Sequence, residues 1–407
     1  AKRESDLANG RSISAIYNIP VVIHIVHNGD CVGEGENITD AQAISQITVM
    51  NQDFRRLAST RGGANTTGLA QDIEINFILA KRDPSGNPST GVIRHQIVPY
   101  NNDVADGAGG PDWETTADVE ALKTAINWNT SNYLNMYVIR PGGLPLNSGG
   151  LEGLLGYAQF PQVTLAGITP NTNADTDGVV AGFDAMGTQD LDDGSFILNP
   201  FSNLGRTMTH EVGHWLGLNH TWGDDDFAAE PQCGGSDGIA DTPNQEDATY
   251  GNPSFPRLDD CSPSSPGIMF MNYMDYVDDG AMNMFSEDQA SEMRDVIEND
   301  RESLLVSQGC VQGGVDVNEV LKNQLIQLSI YPNPSSGEFV FEMKNFVHNE
   351  LTIEVYNLTG QLIDQISTTN KGEEHVVFDA SNLSAGDYMV KASDGEFYLT
   401  QKITVIK

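Results

Sequence analysis

The segment from His210 to His220, His-Glu-Val-Gly-His-Trp-Leu-Gly-Leu-Asn-His, combines residue types that can bind and use a metal ion. If it begins as a helix, His210 and His214 lie four residues apart and project from one face. Neutral imidazoles in this arrangement can supply two zinc ligands. Gly217 can end the helix in a left-handed turn, which would bring His220 round as a third ligand. One zinc position then stays open, as catalysis requires.

Glu211 lies between the two helical histidines, where its carboxylate can take a proton from an attacking water. The alternative is a helix whose histidines occupy solvated or core positions. That alternative explains the spacing less well, because three of the eight histidines of the chain fall within these eleven residues. The segment therefore predicts a catalytic zinc centre with a carboxylate base.

Strands and helices in alternation must position this segment. Strands are predicted at residues 20–27, 73–80 and 133–139, from β-branched runs or alternating apolar residues. Helices are predicted from an N-cap at Thr39, over residues 116–128, from about Leu204 through the histidines, and over residues 287–305. This order is typical of an α/β (α+β) layer with a twisted, largely parallel sheet backed by helices.

Length and charge restrict the class of protein. The chain has 407 residues, enough for two or three domains, and no apolar run of about 20 residues that could span a membrane. We expect that a signal peptide was removed or was never part of this sequence. The net charge of −36 argues against nucleic acid or an anionic membrane as partner. It is compatible with bound calcium, although simple solubility of a secreted protein explains most of the acids.

Four cysteines, Cys31, Cys233, Cys261 and Cys310, do not form a C-x-x-C pair, so a structural zinc site is not expected. An even count in a secreted chain favours two disulfides, for which three connectivities are open. The preferred pairing is Cys233–Cys261, within the loop after the histidines, and Cys31–Cys310, joining the two ends of the catalytic domain. Cys31 follows the first strand and is a poor candidate for a thiol that reaches the metal.

The histidine segment resembles the metzincin metalloproteases, and within them the bacterial branch of the pappalysin family. The matching pieces are Gly205-Arg206-Thr207, His220-Thr221-Trp222, Ala240-Asp241-Thr242-Pro243 and Asn272-Tyr273-Met274-Asp275-Tyr276. The resemblance covers residues 14–310. It implies that Met274 lies under the zinc in a tight turn; the alternative is that the methionines here only fill core.

The resemblance also implies a secreted zinc endopeptidase. Tyr276 would donate a hydrogen bond to the developing oxyanion, unless it is a core tyrosine with a satisfied hydroxyl. A peptide would bind extended along the sheet edge at Gly156, Tyr157 and Ala158. Asp278 and Asp279 follow the methionine, where acids in some relatives favour a basic residue after the cleaved bond. Gly280 stands where the decisive acid is expected.

Calcium is a second implied metal. The resemblance places it in the aperiodic loop after the histidines, with Asp226, Asp237, Asp241 and Thr242 as ligands. Solvated loop acids in an acidic protein are the alternative. Relatives often carry a further cysteine where this chain has Ala281, so one familiar disulfide should be absent.

After Cys310 the composition changes. We expect a tail or pro-segment remnant at residues 1–13, a catalytic domain at 14–310, a linker at 311–320 and a β-sandwich module at 321–407. The module resembles the sorting domain of the type IX secretion system. The matching pieces are Tyr331-Pro-Asn-Pro334, Val355-Tyr-Asn-Leu-Thr-Gly360, Leu383-Ser-Ala-Gly-Asp-Tyr388 and the final six residues from Lys402. It implies export to the cell surface or the medium; a substrate-binding β-domain is the competing interpretation.

Three functions are compared. The first is a monomeric, secreted zinc endopeptidase that binds peptides and the type IX machinery. The second is an inactive metzincin fold that serves as a binding or adhesion module, which the intact Glu211 and Tyr276 disfavour. The third is a gluzincin-type peptidase with a distant Glu as third ligand, which His220 at the metzincin spacing disfavours.

Overall fold

A computed structural model describes residues 16–97, 112–161, 173–224, 233–311, 327–344, 350–357, 361–369, 373–393 and 398–407. The chain divides into two compact units, Ala1–Gly314 and Val315–Lys407. The predicted tail at residues 1–13, and all of the predicted linker except Val311, lie outside the described residues.

The first unit is built on a six-stranded sheet. Its strands are β1 (Tyr17–His27), β2 (Ile75–Leu79), β3 (Val92–Gln96), β4 (Leu134–Ile139), β5 (Gly156–Ala158) and β6 (Val179–Gly182). On one side, β1 pairs in parallel with β2 through its first half and with β3 through its second half. On the other side follow β4 and β6 in parallel, and then β5 antiparallel at the edge. The predicted, largely parallel sheet is confirmed; β3 and β6 were not predicted as strands.

In the part of the chain that the structure describes, four α-helices accompany the sheet: α1 (Asp40–Phe54), α2 (Thr116–Ile126), α3 (Arg206–Trp215) and α4 (Glu287–Asn299). The Thr39 side chain caps α1 by accepting from the Gln42 N–H, as predicted. Ser286 and Gln289 form a reciprocal capping box at the start of α4. This helix ends before the predicted Leu305, and a separate 3-10 helix follows at Glu302–Val306.

The two faces of the sheet carry different helices. On one face, Ile19, Val21 and Ile23 of β1 pack in one core with residues of α1, α3 and α4. Neighbouring strand residues point the opposite way, as the pleat requires. On that second face, Tyr137 of β4 and Val180 of β6 pack with apolar residues of α2. The histidine-bearing helix α3 therefore lies on the same face as α1, against the β6 and β5 edge of the sheet.

One predicted disulfide is present and the other is wrong. Cys233 and Cys261 are bonded, with their Cα atoms 5.3 Å apart. Cys31 and Cys310 are free thiols. Gly309, next to Cys310, lies against Pro20 near the start of β1, whereas Cys31 follows the far end of that strand. The strand between them spans roughly 20 Å at about 3.3 Å per residue, far beyond the reach of a disulfide.

The second unit is an all-β sandwich. One sheet has the order β10–β9–β12–β13 and the other β11–β8–β7, and all pairs are antiparallel. The strands are β7 (Gln327–Tyr331), β8 (Glu338–Lys344), β9 (Glu350–Asn357), β10 (Leu362–Thr369), β11 (Glu373–Asp379), β12 (Gly386–Ser393) and β13 (Tyr398–Val405). Alternate residues such as Phe339, Phe341, Ile353 and Val355 face inward and form one buried core.

Candidate active site

The three predicted histidines converge at the C-terminal half of α3. Gly217 adopts φ +94° just after the helix, a conformation that favours glycine, and the chain then turns back to carry His220. The Nε2 atom of His214 lies 3.0 Å from that of His210 and 3.1 Å from that of His220. Among the described residues, these histidines form the one cluster of His, Cys, Asp and Glu side chains suited to a metal.

The hydrogen bonds of the outer ring nitrogens show what the cluster can bind. The Nδ1 atoms of His210 and His214 lie 2.7 and 2.6 Å from the carbonyl oxygens of Tyr273 and Leu218, and that of His220 lies 2.6 Å from Asp224 Oδ1. These oxygens only accept, so each Nδ1 carries the proton. Three bare Nε2 lone pairs therefore face one another. A zinc ion fits such a donor set, and second-sphere acceptors of this kind are typical of zinc histidines.

The charge state of the histidines agrees with this interpretation. Burial, together with neighbouring His220, lowers the pKa of His210 to about 3. Burial and both neighbouring histidines hold the pKa of His214 well below its usual range. The rings of His210 and His214 are therefore neutral at physiological pH, which is the state in which imidazole binds metal.

Glu211 points into the cleft beside the histidines. Its side chain is buried and lines a cleft of about 420 Å³. Burial raises the pKa of this carboxyl to about 8, since the charged form loses its hydration. A cation held by the three histidines would oppose this shift by favouring the carboxylate. The position suits a group that exchanges a proton with a reactant in the cleft.

Met274, the predicted turn methionine, packs against the histidine-bearing helix α3. Its side chain is fully buried, and a Cβ on Gly213 of α3 would overlap its Sδ atom. Glycine at position 213 therefore permits the close approach. The preceding residue, Tyr273, supplies the carbonyl that holds His210, so this turn supports a histidine as well as the helix.

Tyr276 stands at the cleft surface. Its ring centroid lies 4.8 Å from that of His220 and 4.7 Å from that of Trp222. Desolvation and the negative charge of Glu211 raise the pKa of the phenol, so the hydroxyl stays protonated. It is 43% exposed, which disfavours the alternative of a core tyrosine.

The predicted substrate edge is an edge strand in the structure. Gly156, Tyr157 and Ala158 form β5, whose only described strand partner is β6. Gly156 faces Glu211, and both line the cleft. Tyr157 points to the opposite face, where its hydroxyl donates to Glu120. One edge of β5 therefore has no strand partner among the described residues, and it lies beside the candidate base.

The two acids after the methionine turn have different environments. Asp279 is buried, and its Oδ2 accepts from the backbone N–H groups of Leu204 and Arg206 at 2.7 and 3.3 Å, at the start of α3. Asp278 is half-buried, lines the cleft and accepts from the Asn252 amide. Both acids line the cleft, but the carboxylate of Asp279 is engaged by the backbone N–H groups that begin α3.

The predicted calcium ligands are brought together only in part. Asp237 is buried and accepts from Thr242 Oγ1 at 2.7 Å and from the Ile239 N–H at 3.0 Å. Asp241 instead accepts from Ser286 Oγ and the Asp288 N–H at the start of α4. Asp226 lies outside the described residues.

Sequence reasoning missed three groups around the site. Leu146, Phe201 and Tyr250 line the cleft from separate loops that share no motif.

Two buried ion pairs hold α3 in place: Arg206 with Asp53 at 2.9 Å and Arg301 with Asp177 at 2.6 Å. The two residues of each ion pair lie more than a hundred positions apart in the sequence, so no local pattern predicts either pair.

Comparison with known proteins agrees with the site. The family model described as Pregnancy-associated plasma protein-A matches residues 180–298, and the Secretion system C-terminal sorting domain model matches residues 329–407. An extracellular metalloprotease of Pyricularia oryzae is 31% identical over 274 residues, which are 63% of this chain and 84% of that protein. One of Colletotrichum graminicola is 29% identical over 286 residues, 70% of this chain and 77% of that protein.

Solved structures give the same result. Mature mirolysin of Tannerella forsythia, in complex with a cleaved peptide, is 37% identical, with a TM-score of 0.56 over 74% of this chain and 100% of that one. Promirolysin of the same organism is 38% identical, with a TM-score of 0.55 over 75% of this chain and 91% of that one.

The fold and the three-histidine centre define a metzincin-type metalloendopeptidase. The chain belongs to the pappalysin family, as the sequence predicted, and carries a type IX sorting domain. It is a secreted zinc protease exported by the type IX system and acts on protein substrates. Within the described residues, no helix is long and apolar enough to cross a membrane.

Proposed function

We propose that His210, His214 and His220 hold the zinc ion and that Glu211 and Tyr276 carry the chemistry of peptide hydrolysis. The observation that supports this most directly is the convergence of three unprotonated Nε2 atoms beside the buried Glu211 carboxyl. When bound, zinc polarises the scissile carbonyl and makes water a better nucleophile at neutral pH. Glu211 takes a proton from the attacking water and returns it to the leaving amine. The Tyr276 hydroxyl donates to the oxyanion as charge develops.

The substrate binds as an added strand along β5. The edge of β5 that has no described strand partner offers backbone groups to an extended peptide, and Gly156 brings that peptide next to Glu211. The cleft beside it, lined by Leu155, Val277 and Met282 among others, takes the side chain that follows the cleaved bond. We propose a preference for a basic residue there, through Asp278 rather than Asp279.

The preference is tested by profiling cleavage of a peptide library by the wild type and by Asp278→Asn. A basic residue after the cleaved bond in the wild type, weakened several-fold in the variant, supports the assignment. An unchanged profile in the variant refutes the role of Asp278. An Asp279→Asn variant tests the other acid. Because Asp279 caps α3, we expect this variant to lower stability more than it alters selectivity.

The loop after the histidines binds calcium through Asp237 and Thr242, in our proposal, with Asp226 and Asp241 as further ligands. Its support is the buried Asp237 carboxylate, which forms no ion pair with a Lys or Arg of the described residues. Burial raises the pKa of Asp237 to about 6, a cost that a cation would remove. A melting temperature that is unchanged in excess EGTA would contradict the site.

The catalytic domain at residues 14–310 works as a monomer, and the module at 321–407 serves export rather than catalysis. All described residues that line the cleft come from the first unit of one chain. Truncation after Cys310 should leave peptide cleavage intact, and size-exclusion chromatography with light scattering should give one copy. A folded truncate without activity would refute the division of roles.

The assignment of Glu211 is tested with Glu211→Gln. We expect zinc content to stay at one per chain while kcat falls by about 10²–10⁴-fold, because the amide cannot accept the proton. Glu292→Gln, a change on α4 with the same loss of charge, is the matched control and should cleave normally. Normal cleavage by Glu211→Gln would exclude its role as base, and normal cleavage combined with loss of zinc would exclude the metal centre as well.

A further inference from the structure

Gln245 is a buried side chain that joins three loops beside the cleft. It is 1% exposed. Its Nε2 donates to the carbonyl of Asp247 at 2.7 Å and to Asp275 Oδ2 at 2.8 Å, and its Oε1 accepts from Thr221 Oγ1 at 3.3 Å. Thr221 follows the third histidine, and Asp275 follows Met274. One amide therefore links the ligand loop, the loop closed by the Cys233–Cys261 disulfide and the methionine turn.

Asp275 is the carboxylate through which this link reaches the cleft. It is fully buried. Its Oδ1 accepts from the Thr249 N–H at 2.7 Å and from the Tyr276 N–H at 2.8 Å. One of these N–H groups belongs to Tyr276 itself, and the other belongs to Thr249, the residue before Tyr250. Both tyrosines line the cleft. The ring centroids of Tyr250 and Tyr276 lie 6.3 Å apart.

The Gln245 contact fixes which way the carboxylate faces. A carboxylate between two backbone donors can still rotate or shift, whereas the Gln245 amide holds the second oxygen at 2.8 Å. Gln245 is itself held, since its other Nε2 hydrogen and its Oε1 have partners. In a buried site such a fully satisfied network is rigid, and removing one member leaves another polar group unpaired.

We propose that Gln245 is a positioning residue, which acts through Asp275 to fix the place of the Tyr276 side chain in the cleft. The inference rests on the proposed role of Tyr276 as oxyanion donor. A donor must stand within about 0.5 Å of its working position to stabilise the transition state, and Tyr276 is half-exposed with no described hydrogen bond from its own hydroxyl. Its position therefore depends on ring contacts and on its backbone.

The test is a double-mutant cycle of Gln245→Leu and Tyr276→Phe in the full chain, with kcat/KM on one peptide as the readout. Tyr276→Phe alone should lower kcat/KM by about 10²–10³-fold, as loss of one oxyanion donor does. Gln245→Leu alone should lower it about tenfold or more, mainly through kcat. In the Tyr276→Phe background, Gln245→Leu should cost less than about twofold.

Each pattern decides a different point. Additive losses would overturn the inference while leaving the role of Tyr276 intact. A fully active Tyr276→Phe would refute both the role of Tyr276 as oxyanion donor and the role of Gln245 in positioning Tyr276. A rise in zinc dissociation in Gln245→Leu, with activity restored by excess zinc, would show that Gln245 acts through Thr221 and the ligand loop instead, and would also overturn the inference.

A matched control separates positioning from general stability. Gln42 of α1 is equally buried and donates to the carbonyls of Met186 and Ile197 at 2.9 and 2.8 Å. Gln42→Leu should lower the melting temperature, yet any loss of activity should be additive with Tyr276→Phe. If Gln245→Leu does not fold, Asp275→Asn tests the same link, because an amide nitrogen in place of Oδ2 cannot accept from Gln245 Nε2. We again expect a loss that is not additive with Tyr276→Phe. Additive losses would overturn the inference.

Discussion

Gly156 and Glu211 are in direct contact across the cleft. A Cβ built on Gly156 would lie 2.9 Å from both Cγ and Oε1 of Glu211, and 2.8 Å from the carbonyl oxygen of Val180. Side chains do not approach one another so closely, so the edge strand and the candidate base can be neighbours only because position 156 lacks a side chain. The strand that we propose to bind substrate is thereby placed against the group that we propose to move the proton.

Gly156→Ala should impair catalysis as well as folding. The added methyl group must push Glu211 aside or move β5 away from the Val180 carbonyl of β6. Displacement of a catalytic group by a fraction of an ångström to an ångström can cost about 10²-fold. We expect kcat/KM to fall by about 10–100-fold, and the melting temperature to fall as well, because the Val180 carbonyl belongs to the backbone and cannot move aside freely. Gly337→Ala, at a site with no atom near the added Cβ, is the control, and equal activity of the two variants would contradict this reasoning.

Residues close in sequence could be predicted, and residues brought together over long distances could not. His210, His214 and His220 share one helix and one turn, whose geometry is fixed by the repeat of the helix and by Gly217. Buried strands such as β1 were predictable from their β-branched runs. In contrast, no local pattern links Gln245 to Asp275 or Asp177 to Arg301, although each pair is in contact.

The error with the cysteines has the same origin. An even count of cysteines indicates that pairs can form, but it does not show which cysteines lie close together in the fold. Cys31 and Cys310 lie toward opposite ends of β1, so the sheet itself keeps them apart. Strand β3 was missed because its sequence, Val-Ile-Arg-His-Gln, is short and largely polar. It pairs with the second half of β1, beyond the residues that pair with β2.

Gly213→Ala should destabilise the protein through Met274. The new methyl would overlap the Sδ atom, so the methionine must leave its place against α3. Overpacking of this kind costs about 1–3 kcal/mol in the free energy of unfolding. Met274→Ala alone should cost about 2–5 kcal/mol through the cavity it leaves. The double variant should lose less than the sum, as measured by urea unfolding; strict additivity would show that the two residues do not compete for one space.

Asp237 should make stability depend on pH when calcium is absent. Its folded pKa of about 6 lies above the ordinary 3.8, so the folded state holds the proton more tightly than the unfolded state. The resulting stabilisation is fully present below about pH 4 and is lost as pH rises through about 6, by up to about 3 kcal/mol. Urea unfolding in EGTA at pH 5 and pH 7.5, compared between wild type and Asp237→Asn, isolates this contribution. Saturating calcium should remove the loss in the wild type only.

The buried pair of Arg301 and Asp177 should be among the most sensitive contacts outside the cleft. The guanidinium binds both carboxylate oxygens, at 2.6 and 3.0 Å, and lies 3.9 Å from the Trp215 ring centroid at the end of α3. Arg301→Met leaves the Asp177 charge buried without its partner, so the free energy of unfolding should fall by about 3–5 kcal/mol. Adding Asp177→Asn removes that charge and keeps an acceptor for the Trp215 indole N–H, which now donates to Asp177. The double variant should therefore be more stable than Arg301→Met alone. If thermal and urea unfolding show it to be less stable, the cost of Arg301→Met arises from lost packing on Trp215 and not from the unpaired charge.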